Sequence, residues 1–185
     1  MVSEGDMRKF NFIHRYVRLS TGTTRWFANF YNGSKDLFWQ VARKRARELR
    51  LLPKFEDELE SFMERVPPNA IGVHVRRTDL KNPAVCDPPL MRILDRVVEE
   101  EDPTFLFCTD NPSSLAKFRE RYGERILWRE QEMRRRRGHR ARFSNVGDAA
   151  IDVYALSRTK RIIGTERSSF SCYAAFLGDI QLLQV

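Results

Sequence analysis

The chain has 185 residues, 42% of them hydrophobic, with 13 Phe and 3 Trp. That is enough apolar matter for one domain with its own core, so neither a disulfide scaffold nor a structural metal is needed for stability. A formal charge of +8, from 33 Lys+Arg against 25 Asp+Glu, argues for an anionic partner: nucleic acid, a phosphorylated small molecule or an acidic membrane surface.

In chain order, residues 1–69 read as a basic, mainly helical segment, with one or two strands near Asn11–Arg18. Met1–Phe10 is charged and has no apolar core of a leader, and no stretch is long enough to span a bilayer. The expectation is a soluble, cytoplasmic chain, with a Golgi location requiring a removed anchor. The sequon Asn32-Gly33-Ser34 has meaning only if the chain is secreted. Asp36–Leu52 carries Leu37, Phe38, Val41, Leu49 and Leu52 as a rough helical stripe among basic residues. A second, amphipathic helix is predicted from Pro53, with Phe55, Leu59, Phe62, Met63 and Val66 on one face, and Pro67-Pro68-Asn69 stops it.

From Ala70 the pattern becomes short apolar runs alternating with helical segments. Strands are predicted at Ala70–Val75, Thr104–Thr109, Arg125–Trp128, Arg161–Thr165 and Ile180–Leu183. Helices are predicted at Pro88–Glu100, Pro112–Tyr122, Asp148–Ser157 and Ser169–Leu177. This alternation implies right-handed crossovers and an α/β, Rossmann-like parallel sheet with flanking helices over residues 70–185. Cys86, Cys108 and Cys172 form no C-x-x-C pair, and Cys108, inside an apolar run, reads as a small buried hydrophobe.

Open parallel sheets bind ligands outside the C-terminal ends of their strands. Three such ends are polar here: His74–Asp79, Thr109–Asn111 and Thr165–Ser169. A buried strand carrying His74 and Arg76, two apart and therefore on one face, then Arg77 and Asp79, is poorly explained by folding alone. Arginine suits phosphate because its guanidinium forks onto two oxygens and keeps its charge. The competing structural reading pairs Arg76 or Arg77 with Asp79 and leaves His74 as a satisfied core residue. Arg77-Thr78-Asp79-Leu80-Lys81-Asn82 faintly echoes a protein-kinase catalytic loop, but H-R-D, D-F-G and a glycine-rich loop are all missing.

Gly72–Asp79 (GVHVRRTD) resembles the signature of GT-B fucosyltransferases, the α1,6-fucosyltransferases of protein cores and bacterial nodulation factors, with the α1,2- and protein O-fucosyltransferases as more distant relatives. Phe105–Pro112 resembles that family's strand ending in Thr-Asp-Asp/Asn-Pro. Asp148–Ser157 with Arg161–Phe170 resembles its closing helix, strand and Thr-x-x-Ser-Ser. The resemblance implies one half of a GT-B fold binding GDP-fucose. By that resemblance His74 contacts the guanine or ribose region, and Arg76 holds the β-phosphate as the catalytic residue, with Arg77 and Asp79 beside it. Asp152 reads the guanine donors, and Ser168 and Ser169 offer hydroxyls and N–H groups to the diphosphate. A helix N-terminus is itself an anion site, though Ser168 could simply cap the helix. Asp110 is either a ligand contact or, like Asn111, a helix cap, and Asp152 could be an exposed-face residue.

The reaction implied is inverting transfer of fucose from GDP-fucose to a hydroxyl acceptor, in the first instance a glycan. No cofactor is expected, and without a D-x-D pair no metal is expected either. Residues 1–69 are short for a second nucleotide domain, so the acceptor wall is expected from a partner chain or oligomer, and transfer by this chain alone should be poor. The basic run Arg129–Arg142 invites a non-enzymatic nucleotide- or nucleic-acid-binding alternative, but it lacks interleaved aromatics for stacking and reads as a solvated loop.

Overall fold

The computed structural model describes residues 44, 46, 48–77, 83–130 (backbone only over 83–86), 146–166 and 168–185. The expected strands near Asn11–Arg18, most of the Asp36–Leu52 helix, Asp79 and the Arg134–Arg137 run lie outside these residues. The chain divides into two units, Met1–Arg50 and Leu51–Val185. The second holds the sheet and begins before the expected boundary at 69/70, because the helix from Pro53 packs with it.

That helix, α1 (Pro53–Met63), starts with Pro at its first turn and buries Leu59 and Phe62. Then come β1 (Ile71–Val75), α2 (Pro83–Glu101), β2 (Phe105–Thr109), α3 (Pro112–Tyr122), β3 (Ile126–Leu127), α4 (Val146–Ser157), β4 (Arg161–Gly164), α5 (Ser169–Gly178) and β5 (Gln181–Gln184). All the strand pairs are parallel, in the order β3-β2-β1-β4-β5. The sheet is therefore wound outward from β1 in one direction through β3, then in the other through β4 and β5. The expected α/β, Rossmann-like sheet is present.

Because successive strand residues face opposite sides, the two faces separate cleanly. Ile71, Val73, Val75, Phe105, Phe107, Ile126 and Ile163 pack with Leu90, Leu94 and Val97 of α2 and Phe118 and Tyr122 of α3. Burying each large apolar side chain contributes about 1.5–3 kcal/mol. The other face is covered by α4 and α5, which lie close to the strands. A Cβ on Gly72 would stand 2.8 Å from the Thr159 hydroxyl and 2.9 Å from Leu156, so only glycine lets that part of the chain seat on β1. α1 packs outside α4, tied by Arg158 to Glu60 at 2.9 Å.

Two predictions of local structure need correction. α2 begins at Pro83 rather than Pro88, with Pro88 and Pro89 inside it. Proline removes a helical N–H and normally marks a start, but here tertiary contacts of Asp87 hold the helix across both. β3 is only Ile126–Leu127, and Arg125 belongs to a preceding 3-10 turn. α3 matches its predicted bounds because its punctuation is local. Asn111 accepts from the backbone N–H groups of Ser113 and Ser114, Pro112 opens the first turn, and Gly123 closes the helix at φ 56°.

Candidate functional site

Between β1 and β4 the winding reverses, and in open parallel sheets the crevice at such a reversal, outside the strand C-termini, is where ligands bind. Four groups converge there: the exit of β1 (His74, Arg76, Arg77), the exit of β4 (Thr165), the first turn of α5, and the exit of β2 (Asp110). Register explains the meeting, since His74 lies level with Gly164 on one side and Cys108 on the other.

The backbone around Arg76 is held on both sides. Its N–H donates to Thr165 Oγ1 at 3.1 Å. Its carbonyl accepts from Arg77 Nη1 at 2.8 Å, and the next N–H, that of Arg77, donates to Asp110 Oδ1 at 2.8 Å. Thr165 also returns its N–H to the His74 carbonyl at 3.0 Å. The Arg76 residue itself is partly exposed.

Arg77, expected at the ligand, faces the other way. Its Nε donates to Asp87 Oδ1 at 2.8 Å and its Nη1 to Thr165 Oγ1 at 3.2 Å. Both side chains of the Arg77–Asp87 pair are 1% exposed, and Lys117 Nζ reaches the other Asp87 oxygen at 3.1 Å. Strand alternation sends this guanidinium to the α2–α3 face, where it ties the exit of β1 to Asp87 of α2. The suggested Arg77–Asp79 pairing falls on Asp79, outside the described residues; among these residues the carboxylate that Arg77 meets is that of Asp87.

His74 is buried. Its Nδ1 lies 2.8 Å from Ser171 Oγ and 3.3 Å from Ser168 Oγ, and its ring stacks on Phe170 at 4.6 Å. Burial lowers its pKa to about 4; Asp110 opposes that shift while Arg76 and Arg77 add to it. The imidazole is therefore neutral at neutral pH. Ser168 is 0% exposed and stands at the N-cap position of α5, yet its side chain makes no capping hydrogen bond. Neither the cap nor the outward hydroxyl expected of it is seen, because its oxygen faces His74. Ser169 is partly exposed at the first turn, where the leading N–H groups of a helix have no intrahelical acceptors. Asp110 takes the Arg77 N–H and leaves capping to Asn111, which settles which of the two caps α3.

Asp152 is buried, not on an exposed face. Arg129, just past β3, donates from Nη2 to Asp152 Oδ1 at 3.3 Å and to the Asp148 carbonyl at 3.1 Å. Its Nη1 reaches Asp148 Oδ1 at 2.9 Å and Glu58 Oε1 at 2.5 Å. Burial alone would lower the Arg129 pKa, but Asp152, Asp148 and Glu58 together raise it. This cluster lies along the same C-terminal edge of the sheet as the crevice, since α4 enters from that edge. Asp87 and Ser171 were not singled out from sequence, while Thr165 and Arg129 fell within the polar β4 exit and the basic run without a role of their own. For Thr165 a signal existed, a hydroxyl at a strand end; for Asp87 none did.

No protein-family model matches the chain, and no curated protein matches it in sequence. Solved structures do match. NodZ alpha-1,6-fucosyltransferase soaked with GDP-fucose is similar at 20% identity and TM-score 0.50, over 69% of this chain and 43% of that one. Fucosyltransferase NodZ from Bradyrhizobium is similar at 20% identity and TM-score 0.50, over 68% and 42%. POFUT1 in complex with GDP is similar at 12% identity and TM-score 0.52, over 82% and 50%. The chain shares its fold with part of each of these structures. It spans half or less of their length. Among the described residues, no helix is long and apolar enough to cross a membrane.

Proposed function

We propose that the chain binds GDP-fucose in the crevice between β1 and β4, and serves transfer of fucose to a hydroxyl acceptor, in the first instance a glycan. The observation that carries this is the setting of Arg76. It is the first residue beyond β1, at the reversal of the sheet, partly exposed, on a backbone pinned by Thr165, Arg77 and Asp110. Similarity to structures solved with GDP-fucose and GDP supports the choice of ligand.

In this reading Arg76 forks onto the diphosphate, and the first turn of α5, with Ser169, presents N–H groups to the same charge. As the bond to fucose breaks, negative charge builds on the β-phosphate. A preorganised guanidinium stabilises that charge without reorganising, so the reaction runs without a metal ion. Asp152, held by Arg129 on the same edge, accepts from the guanine N–H donors. Asp110 borders the crevice. The acceptor and the wall that excludes water come from a second domain or partner chain. The described unit by itself then supports slow hydrolysis of GDP-fucose rather than efficient transfer.

A thermal-shift series with GDP, UDP, ADP and CMP tests the donor. Ligand that binds the native state raises its stability, and GDP should do so most. Arg76→Ala should remove that shift while leaving the unliganded melting temperature near its original value, a loss of about 2–5 kcal/mol in binding. Full GDP affinity in the folded Arg76→Ala variant would refute the phosphate role.

A further inference from the structure

We infer that Thr165 is the positioning residue for Arg76, a clamp that reaches across the reversal of the sheet to fix the direction in which that side chain leaves β1. The inference rests on the reading above that Arg76 grips the diphosphate. Thr165 follows β4, yet nearly all of its bonds go to the β1 exit. Its N–H donates to the His74 carbonyl at 3.0 Å, and its hydroxyl lies 3.3 Å from the same oxygen. The hydroxyl oxygen accepts from the Arg76 N–H at 3.1 Å and from Arg77 Nη1 at 3.2 Å. A hydroxyl has one proton and two lone pairs, so one side chain uses its whole capacity on three residues of the β1 exit, His74, Arg76 and Arg77.

The geometry matters because Arg76 lies beyond the last ladder-bonded residue of β1. Without a fixed peptide plane, its Cα–Cβ direction would swing, and a long side chain amplifies a small rotation. Thr165 fixes the peptide unit before Arg76, and the Asp87-anchored guanidinium of Arg77 fixes the one after it. Such a residue touches neither ligand nor reacting atoms. Its contribution lies in holding the phosphate-gripping group in place before the ligand arrives, which lowers the ordering cost of binding.

Thr165→Val keeps the shape and deletes the hydroxyl; Thr165→Ser keeps the hydroxyl. Isothermal titration should show Thr165→Val binding GDP about tenfold more weakly, with guanosine affinity unchanged, and Thr165→Ser restoring most of the loss. In an Arg76→Ala background, Thr165→Val should cause no further loss. GDP binding as tight as wild type in the folded valine variant overturns the inference. So does an equal loss for guanosine and GDP, or a loss that simply adds to that of Arg76→Ala. A second readout needs neither ligand nor variant: the Arg76 amide of the wild-type chain should exchange slowly with solvent deuterium. Rapid exchange there overturns the clamp. If wild type binds no GDP, the donor reading fails instead, and the amide measurement decides the clamp by itself.

Discussion

Asp87 and Arg77 form an ion pair with both side chains 1% exposed, linking α2 to the exit of β1. Asp87 also meets Lys117 of α3, so one carboxylate ties three elements together. Two buried charges persist together because each answers the other; remove one and the remaining charge has no water to turn to.

Asp87→Ala should therefore cost about 3–5 kcal/mol of folding stability. Asp87→Asn keeps an acceptor oxygen for Arg77 and should cost less. Urea denaturation measures both. A loss below about 1 kcal/mol for Asp87→Ala would mean that the α2–β1 link is slack and that Arg77 has another partner.

His74 makes stability depend on pH. Its folded-state pKa is about 4, below the ordinary 6.5, so between those values the unfolded chain binds more protons. Stability is then full above about pH 6.5 and declines as pH falls toward 4, by about 3 kcal/mol in all. His74→Gln should flatten this limb relative to wild type. Chemical denaturation at pH 7, 5.5 and 4.5 gives the comparison, and parallel curves for the two proteins would contradict a buried neutral imidazole.

Asp152 carries two roles that must be separated by measurement. Its bond to Arg129 predicts that Asp152→Ala lowers stability, by leaving a buried guanidinium less well matched. Its proposed contact with guanine predicts that GDP affinity falls more than UDP affinity, by about 1–3 kcal/mol. Equal loss for the two nucleotides, corrected for unfolding, would leave only the structural role.

Gly164 touches Ser171 so closely that a Cβ would stand 2.5 Å from its Oγ and 2.9 Å from its Cβ. Gly164→Ala should push Ser171 away from His74 and destabilise the fold by about 1–3 kcal/mol. Thermal melts of the two proteins provide the measurement; an alanine variant as stable as wild type would show that α5 can lift off β4 without cost.

The architecture was legible in the sequence because the strands and helices are short, separate and locally punctuated; α3 is the clearest case. At the site, legibility stopped at the first neighbour. Period-two alternation already places His74 and Arg76 on one face, and so sends Arg77 to the other, yet Arg77 is expected beside Arg76 at the ligand. What distinguishes them is Asp87, ten residues later within a helix whose local sequence, with Pro88-Pro89, argues for a later start. The Ser168 hydroxyl is a second case. A serine before a helix reads as a cap or a ligand group, and only the His74 ring, 94 residues distant, turns its hydroxyl inward. For Asp152 the exposed-face alternative stayed open because its counter-charge, Arg129, arrives from another strand's end.

The position of the crevice also bears on how the molecule assembles. β1, β2 and β3 are joined by consecutive short crossovers, whereas the bonds of His74 to Thr165 and Ser171 close 91 and 97 residues of chain. Contacts of long sequence separation form late, since loop closure must come before they contribute. The β3-β2-β1 half can therefore organise before β4 docks, which makes the β1–β4 junction a late one to form. A diphosphate bridging Arg76 on one half and the head of α5 on the other would act as a removable rivet across that junction. Its presence should slow unfolding more than it speeds folding.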